Sequence, residues 1–395
     1  MRDLNLYGIS GLHQYVDAEN FGLILDSVNA KYNGALWRRF ASWGNPTDDR
    51  EWKQGIKKTP ILVRASVLGT HSEKPQRSTI GWEFYGGTLP QIGHGFNITQ
   101  DDMIELRKSA KLSNVTFGEA LTDSFILNSG AMIGGVHNEL TYMVTQAMST
   151  GEIHDVAVDG ARYDFKFQIP DENFTAPATG KNWFKPDGTP NADADPIEDF
   201  LSFQKYYTET RNLGVDHWKM SKELFDKIVT HPCVLDSFKA SKYGNNFLNF
   251  QVTGGTGTVS TENRIKVIRR ELLDWIHNDM GIWPFDVIDF KSRHEEDGKP
   301  VSDAPAFDVH NIVAVPRTYK PFEIKCMNSI LKDRNKMGAH NDSVRTYFVE
   351  DRIAVQNVWQ DRPMLNIVDC ELYAGPVFNN VNDYGIATVW KDYEP

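Results

Sequence analysis

Cysteine is scarce in this chain: three residues in 395, at Cys233, Cys326 and Cys370, odd in number, far apart and without a CxxC spacing. That excludes a disulfide framework and a cysteine-built zinc site, and it fits free thiols in a reducing compartment. Basic runs are missing as well. Lys57-Lys58 and Arg269-Arg270 are only pairs, and the formal net charge is -11. A tight nucleic-acid binder gathers Lys and Arg on one face, so any contact with DNA is expected to be weak and non-specific. No stretch approaches the ~18 apolar residues of a membrane span, and the opening MRDLNLYG has no apolar signal core. No membrane partner is expected.

Catalytic and metal motifs are equally thin. There is no Gly-x-Ser-x-Gly elbow. Asp193, Asp195 and Asp199 lack the glycine and terminal Glu of a calcium loop, and Asp195-Pro196 reads better as a helix N-cap with proline in the first turn. His137 and Glu139 stand two apart, whereas ligands on one helix face need spacings of three or four, and the Pro-Cys-x-x-Cys of a deaminase is absent. His294-Glu295-Glu296 has no second His three residues on, and Gly254-Gly255-Thr256-Gly257-Thr258 lacks the Lys-Ser/Thr of a phosphate loop. Each reads more simply as structure, so the expectation is a non-enzyme with no catalytic set, no metal and no cofactor.

What the sequence does have is a core and aromatic surface. Apolar residues make up 40 % and charged residues 24 %, which places it among folded proteins, and 395 residues suggest two lobes or one domain with extensions. Aromatics reach 12 %, with 10 Trp, more than a core alone requires and therefore a sign of interfaces. Spacing predicts a helix over 17–43, stopped by Gly44-Asn45-Pro46. A long β-hairpin is expected over 59–89, opened by Ile61-Leu62-Val63, with a polar tip at 71–78 and a return strand that puts Trp82 and Phe84 on one face and Tyr85 on the other. A hairpin this long lies either on its own domain or on a neighbouring chain. A short helix follows at 99–110. A longer one begins at the capping box Thr116-Phe117-Gly118-Glu119 and runs to Gly151, with glycines at 130, 134 and 135 expected to bend or interrupt it. Strands are expected over 152–170 around an Asp159-Gly160 turn, and a loop over 171–194. An α/β lobe follows, with helices at 196–212, 221–229 and 261–279, strands at 284–290 and 311–316, and a charged loop at 291–306. Strands return between 344 and 390.

Four stretches in this order carry a resemblance. They are Gly86-Gly87-Thr88-Leu89-Pro90-Gln91-Ile92 with Phe96-Asn97-Ile98-Thr99; Glu139 to Ile153, with its Gln146-Ala147 and Thr150-Gly151; Asn182-Trp183-Phe184 with Asp195-Pro196-Ile197-Glu198-Asp199 and the text from Gly214 to Leu224; and Ala374-Gly375-Pro376-Val377. The chain resembles the lambda-type major capsid proteins of tailed bacteriophages, from about residue 59 onward. The resemblance implies an α+β Hong Kong 97-type capsid fold: an N-terminal arm (1–55), an extended loop (56–96), a peripheral domain with a long spine helix (97–190 and 340–395) and an axial α/β domain (191–339).

It also implies a function. Copies of the chain would assemble as hexamers and pentamers into an icosahedral head around double-stranded DNA, with the hairpin laid on a neighbour through Trp82, Phe84 and Tyr85. Portal and scaffold proteins are the expected further partners, with a decoration protein left open. The place would be the virion, and the host cytoplasm during assembly. Covalent crosslinking through Lys74 at the hairpin tip is not expected of this branch. The arm finds no match in the family, and the charged stretch 291–306 is an insertion. Two alternatives stay beside this one: a bacterial nanocompartment shell of the same fold, and a soluble α/β enzyme that would form only a small oligomer.

Overall fold

The structure is a computed structural model and describes residues 18–57, 82–156, 162–178, 181–241, 269–296, 299–302, 305–317, 320–332, 344–361, 364–381 and 383–391. The expected hairpin opening at 61–63, its tip with Lys74, the Asp159-Gly160 turn, the glycine run 254–258 and the start of the helix expected at 261 lie outside those residues. Two compact units divide the chain: residues 1–54, 86–144 and 322–379 in the first, and 55–85, 145–321 and 380–395 in the second.

In the first unit, the helix expected over 17–43 is two shorter pieces. Helix α1 (Ala18–Ala30) buries Leu25 and Val28. It then tightens into turns in which Lys31 and Tyr32 donate backbone N–H bonds three residues back, to Val28 and Asn29. After the single turn α2 (Trp37–Phe40), the chain becomes strand β1 (Ala41–Trp43), which pairs in parallel with β13 (Phe322–Cys326). Pairing with a strand nearly three hundred residues away overrides the local helical spacing.

Strand β2 (Glu51–Lys57) pairs with β3 (Trp82–Thr88). Strand β4 (Gln91–Thr99) delivers Thr99 as the cap of α3 (Gln100–Leu112). The Thr99 hydroxyl accepts from the Asp102 N–H at 3.3 Å while the Asp102 carboxylate accepts from the Thr99 N–H at 2.8 Å. The same reciprocal bonds link Thr116 and Glu119 at the start of α4 (Phe117–Thr150). This helix has 34 residues, about 51 Å at the usual rise. It runs unbroken through Gly130, Gly134 and Gly135, so the glycines do not interrupt it. The reason is packing: a Cβ on Gly134 would overlap the Tyr32 hydroxyl, so the missing side chain admits a neighbour while the helix keeps its bonds.

Six strands form the sheet beneath, in the order β1-β13-β16-β15-β14 with β4 also on β16. Strand β16 (Met364–Phe378) is its axis. Its first half lies between β15 (Ile353–Asp361) and β4, and its second half pairs with β13. Strand β14 (Val344–Val349) closes one edge. Helix α4 covers the face that carries Phe96 and Cys370: the Phe96 and Phe125 ring centroids stand 6.3 Å apart, and Cys370 Sγ lies 3.9 Å from the Met132 carbonyl.

The second unit holds the antiparallel pair β5 (Glu152–Val156) and β6 (Arg162–Lys166). Its main sheet orders β7 (Phe174–Thr175), β17 (Gly385–Thr388), β12 (Asn311–Val315), β8 (His217–Ser221) and β9 (Phe285–Ile288). Helix α5 (Pro196–Lys205) begins as the sequence suggested, with Asp195 Oδ1 accepting from the N–H groups of Ile197 and Glu198. It gives way to a wider π turn at Tyr206–Thr210 instead of continuing to 212. Helix α6 (Lys222–Val229) appears as expected, and α7 (Pro232–Ala240) was not anticipated. The next helix is described from 269 and ends in a π turn at Trp275–Asp279. The charged stretch expected as a loop contains a small hairpin, β10 (Arg293–Glu296) with β11 (Lys299–Ser302). The core gathers Trp183, Phe200, Tyr207, Trp218, Phe238 and Trp275.

Candidate assembly surface

The side chains that the sequence offers for chemistry are bound into the fold. His137, 1 % exposed on α4, accepts a hydrogen bond at Nδ1 from the Trp37 indole N–H at 3.2 Å, which leaves its proton on Nε2 to donate to Asn29 Oδ1 at 2.8 Å. Burial, followed by the charge of Arg38, depresses its pKa to about 4, against the opposing pull of Glu350, so the ring is neutral at physiological pH. Asp195 caps α5, while Asp199 accepts from the Trp183 indole N–H at 2.7 Å and is raised by burial. Burial raises all three thiols, Cys370 to about 12, so none is a ready nucleophile. Among the described residues, no group of three His, Cys, Asp or Glu side chains is placed to hold a metal ion. Beside α6 lies a cleft of about 440 Å³, where Lys222 pairs with Asp289 at 2.9 Å and Arg269 pairs with Asp226.

Sequence reasoning missed the node around Glu350. Glu350 and Asp351 form the β14–β15 turn with φ of 53° and 60°, left-handed values that non-glycine residues seldom adopt. Such a turn costs roughly 1–2 kcal/mol per residue. Here it aims the Glu350 carboxylate at the N-terminal segment, where it accepts from Asn29 Nδ2 at 2.7 Å, Trp43 Nε1 at 2.6 Å and the Arg38 guanidinium. Burial works to raise this carboxyl, but those three bonds and the Arg38 charge outweigh it and hold it below the usual carboxylate range. Asn29 therefore links Glu350 to His137, and the segment 29–43 is tied to both the sheet and the long helix. The repeated Trp and Arg of WRRFASW were the available signal.

Of the aromatic residues on the return strand, Tyr85 is 6 % exposed and its hydroxyl is raised by burial. The backbone of β3 is in place from Trp82 onward, while the side chains of Trp82 and Phe84 fall outside what is described. Apolar surface lies elsewhere. Leu112 is 90 % exposed at the end of α3, Leu127 is 73 % exposed on α4, and Leu23 and Ile330 are about two-thirds exposed. Scattered singly these would be ordinary. Leu112 and Val115 flank Asn114, whose φ of 56° turns the chain between two helices and leaves both side chains at an outward corner.

No protein-family model matches the sequence, and no curated protein does. Solved structures do match. A prophage protein of Escherichia coli CFT073, assigned as a capsid protein, aligns over 94 % of this chain and 99 % of its own, at 11 % identity and a TM-score of 0.51. The chain has the Hong Kong 97-type capsid fold. A phage-related protein of Bordetella bronchiseptica RB50 matches 94 % of this chain and 98 % of its own at 9 % identity and a TM-score of 0.47. The capsid of Myoviridae phage XM1 matches 90 % and 92 % at 10 % identity and a TM-score of 0.41. The long helix that the sequence resemblance implied is α4, which packs on β4 and β16.

Proposed function

We propose that the chain is the major capsid protein of a tailed bacteriophage, a non-enzymatic subunit that assembles as hexamers and pentamers into an icosahedral head around double-stranded DNA. The observation that carries this reading is the likeness in fold to the prophage capsid protein over nearly the whole of both chains. Exposed Leu112 and Val115 at the α3–α4 corner and the Glu350 node, which fixes the N-terminal segment, support it as features of a subunit built for contact. Many weak contacts per copy suffice, because closure of a shell makes them simultaneous. A net charge of -11 suits a container that must let its DNA slide.

On this reading residues 1–55 are the arm, 56–96 the extended loop, 97–190 and 340–395 the peripheral domain and 191–339 the axial domain. The loop would bring Trp82 and Phe84 against a neighbouring copy, whereas Tyr85 is already covered within its own chain. Portal and scaffold proteins are the further partners, and the protein works in the virion after assembly in the host cytoplasm.

Negative-stain electron microscopy beside sedimentation of the purified chain, alone and with its scaffold, tests the proposal. Closed shells, or free hexamers and pentamers, are expected. A monomer or dimer that persists with scaffold present would sink it. Trp82→Ala should lower shell yield at least tenfold while the far-ultraviolet circular dichroism and melting of the free subunit stay put. Normal shells from that variant would remove the hairpin from the interface.

A further inference from the structure

In the first unit, α4 covers two asparagines that the sheet ought not to tolerate dry. Asn357 on β15 pairs with Val368 on β16, and Asn366 pairs with Trp359. Side chains alternate along a strand, so Asn366, Val368 and Asn357 share one face, with the asparagines as diagonal neighbours across the ladder. Burial agrees: Asn357, Asn366, Val368 and Cys370 are all buried, while Asp369 between the last two is exposed on the other side. Both asparagines are 0 % exposed, and none of their four side-chain oxygen and nitrogen atoms has a hydrogen-bond partner.

The helix above adds a third such group. Phe125 packs on Phe96, the β4 partner of Val368, and the Met132 carbonyl meets Cys370 Sγ. Ser129 lies on the same stripe, four residues after Phe125 and three before Met132, so it faces the sheet at this level. It is 0 % exposed and its hydroxyl has no partner. A helical serine can satisfy itself by donating to the carbonyl four residues back, as Thr141 does to His137 at 2.8 Å, but Ser129 makes no such bond. Groups of this kind in a folded interior are almost always paired with protein or with ordered water, because leaving them bare forfeits a sizeable part of a domain's net stability.

We propose that ordered water is bound between helix α4 and the sheet, held by Asn357 and Asn366 with Ser129 as a further partner. Diagonal neighbours on a sheet stand ~7–8 Å apart. Carboxamides reaching toward each other across that span could bond directly, and neither does, so water that bonds both is the partner left to them. The set is neutral and mixed, two amides and a hydroxyl that offer both donors and acceptors, which water, itself both donor and acceptor, can satisfy. The seam thus joins helix to sheet through solvent trapped inside an otherwise apolar contact.

A structure of the full chain at a resolution that shows ordered solvent tests this directly, with thermal unfolding of Asn357→Leu, Asn366→Leu and the double variant beside it. Density within hydrogen-bond distance of both carboxamides is the expected result. Each single variant should lower Tm by roughly 2–8 °C, since it strands the other asparagine, and the double variant should melt above at least one of the singles. Two carboxamides bonded directly to each other, or an empty dry gap, would overturn the proposal. So would single variants that each raise Tm in additive fashion, because that is the behaviour of polar groups with no partner to lose.

Discussion

Lowering the pH from 7.5 to 4 should cost the folded chain about 3 kcal/mol through His137 alone. In the unfolded chain this imidazole titrates near 6.5, and in the fold it titrates near 4. Between those values the unfolded state binds the proton and the folded state does not, so stability rises with pH across the window. It is fully present above 6.5, falls as the pH drops toward 4, and falls no further once both states are protonated. At ~1.4 kcal/mol per pH unit, the span gives about 3 kcal/mol. The structural origin is definite. Trp37 donates to Nδ1, the atom a second proton would occupy, Tyr32 stacks on the ring, and Arg38 adds a positive charge that Glu350 only partly offsets.

The control is His137→Gln, whose amide can donate to Asn29 and whose oxygen can accept from Trp37, but which cannot take up the proton. Other groups titrate in the same range. His231 is lowered by burial and acts in the same direction, while His154 is raised by Asp164 and Glu152 and acts in the opposite one. Subtracting the variant's pH profile from the wild type's removes both. Urea titrations at pH 7.5, 6, 5 and 4 should show wild type losing about 3 kcal/mol more than His137→Gln. Parallel profiles for the two proteins would refute the assignment of a buried neutral ring.

Further outcomes follow from the same geometry. Glu350→Ala should lower stability by about 2–3 kcal/mol, because Arg38, Trp43 and Asn29 lose a charged acceptor; a urea titration at neutral pH reads it. Asp195→Ala should cost ~1 kcal/mol through the lost cap of α5, visible as a lower urea midpoint. Gly134→Ala should destabilise by about 1–3 kcal/mol despite its better helix propensity, since the methyl meets the Tyr32 hydroxyl, and Tyr32→Phe should restore part of that loss.

How far the sequence spoke for itself depended on the range of each interaction. The caps at Thr99, Thr116 and Asp195 were legible because every bond lies within three residues. Helix α4 was legible as a stripe, but the interruption expected at its glycines is absent. Glycine propensity is a local cost, and the packing of Tyr32 that accommodates it comes from about a hundred residues away. Strand β1 was read as helix for the same reason, as its partner is β13. The alternation around Tyr85 was visible, but which side the chain itself would cover was not. The Glu350 node could not be read at all, since Asn29 and Glu350 are 321 residues apart and meet only in the finished fold.

Both units share a dependence on chain order. Strand β16 is the axis of one sheet, and β17 lies between β7 and β12 in the other. Both belong to the stretch 364–388, so neither sheet can be completed until the strands that precede that stretch have all been made. Until then β4, β13 and β12 expose bonding edges that have no partner in place. A product cut short before residue 364 can complete neither sheet. The strands made earlier must wait, with edges open, for the one stretch that closes both.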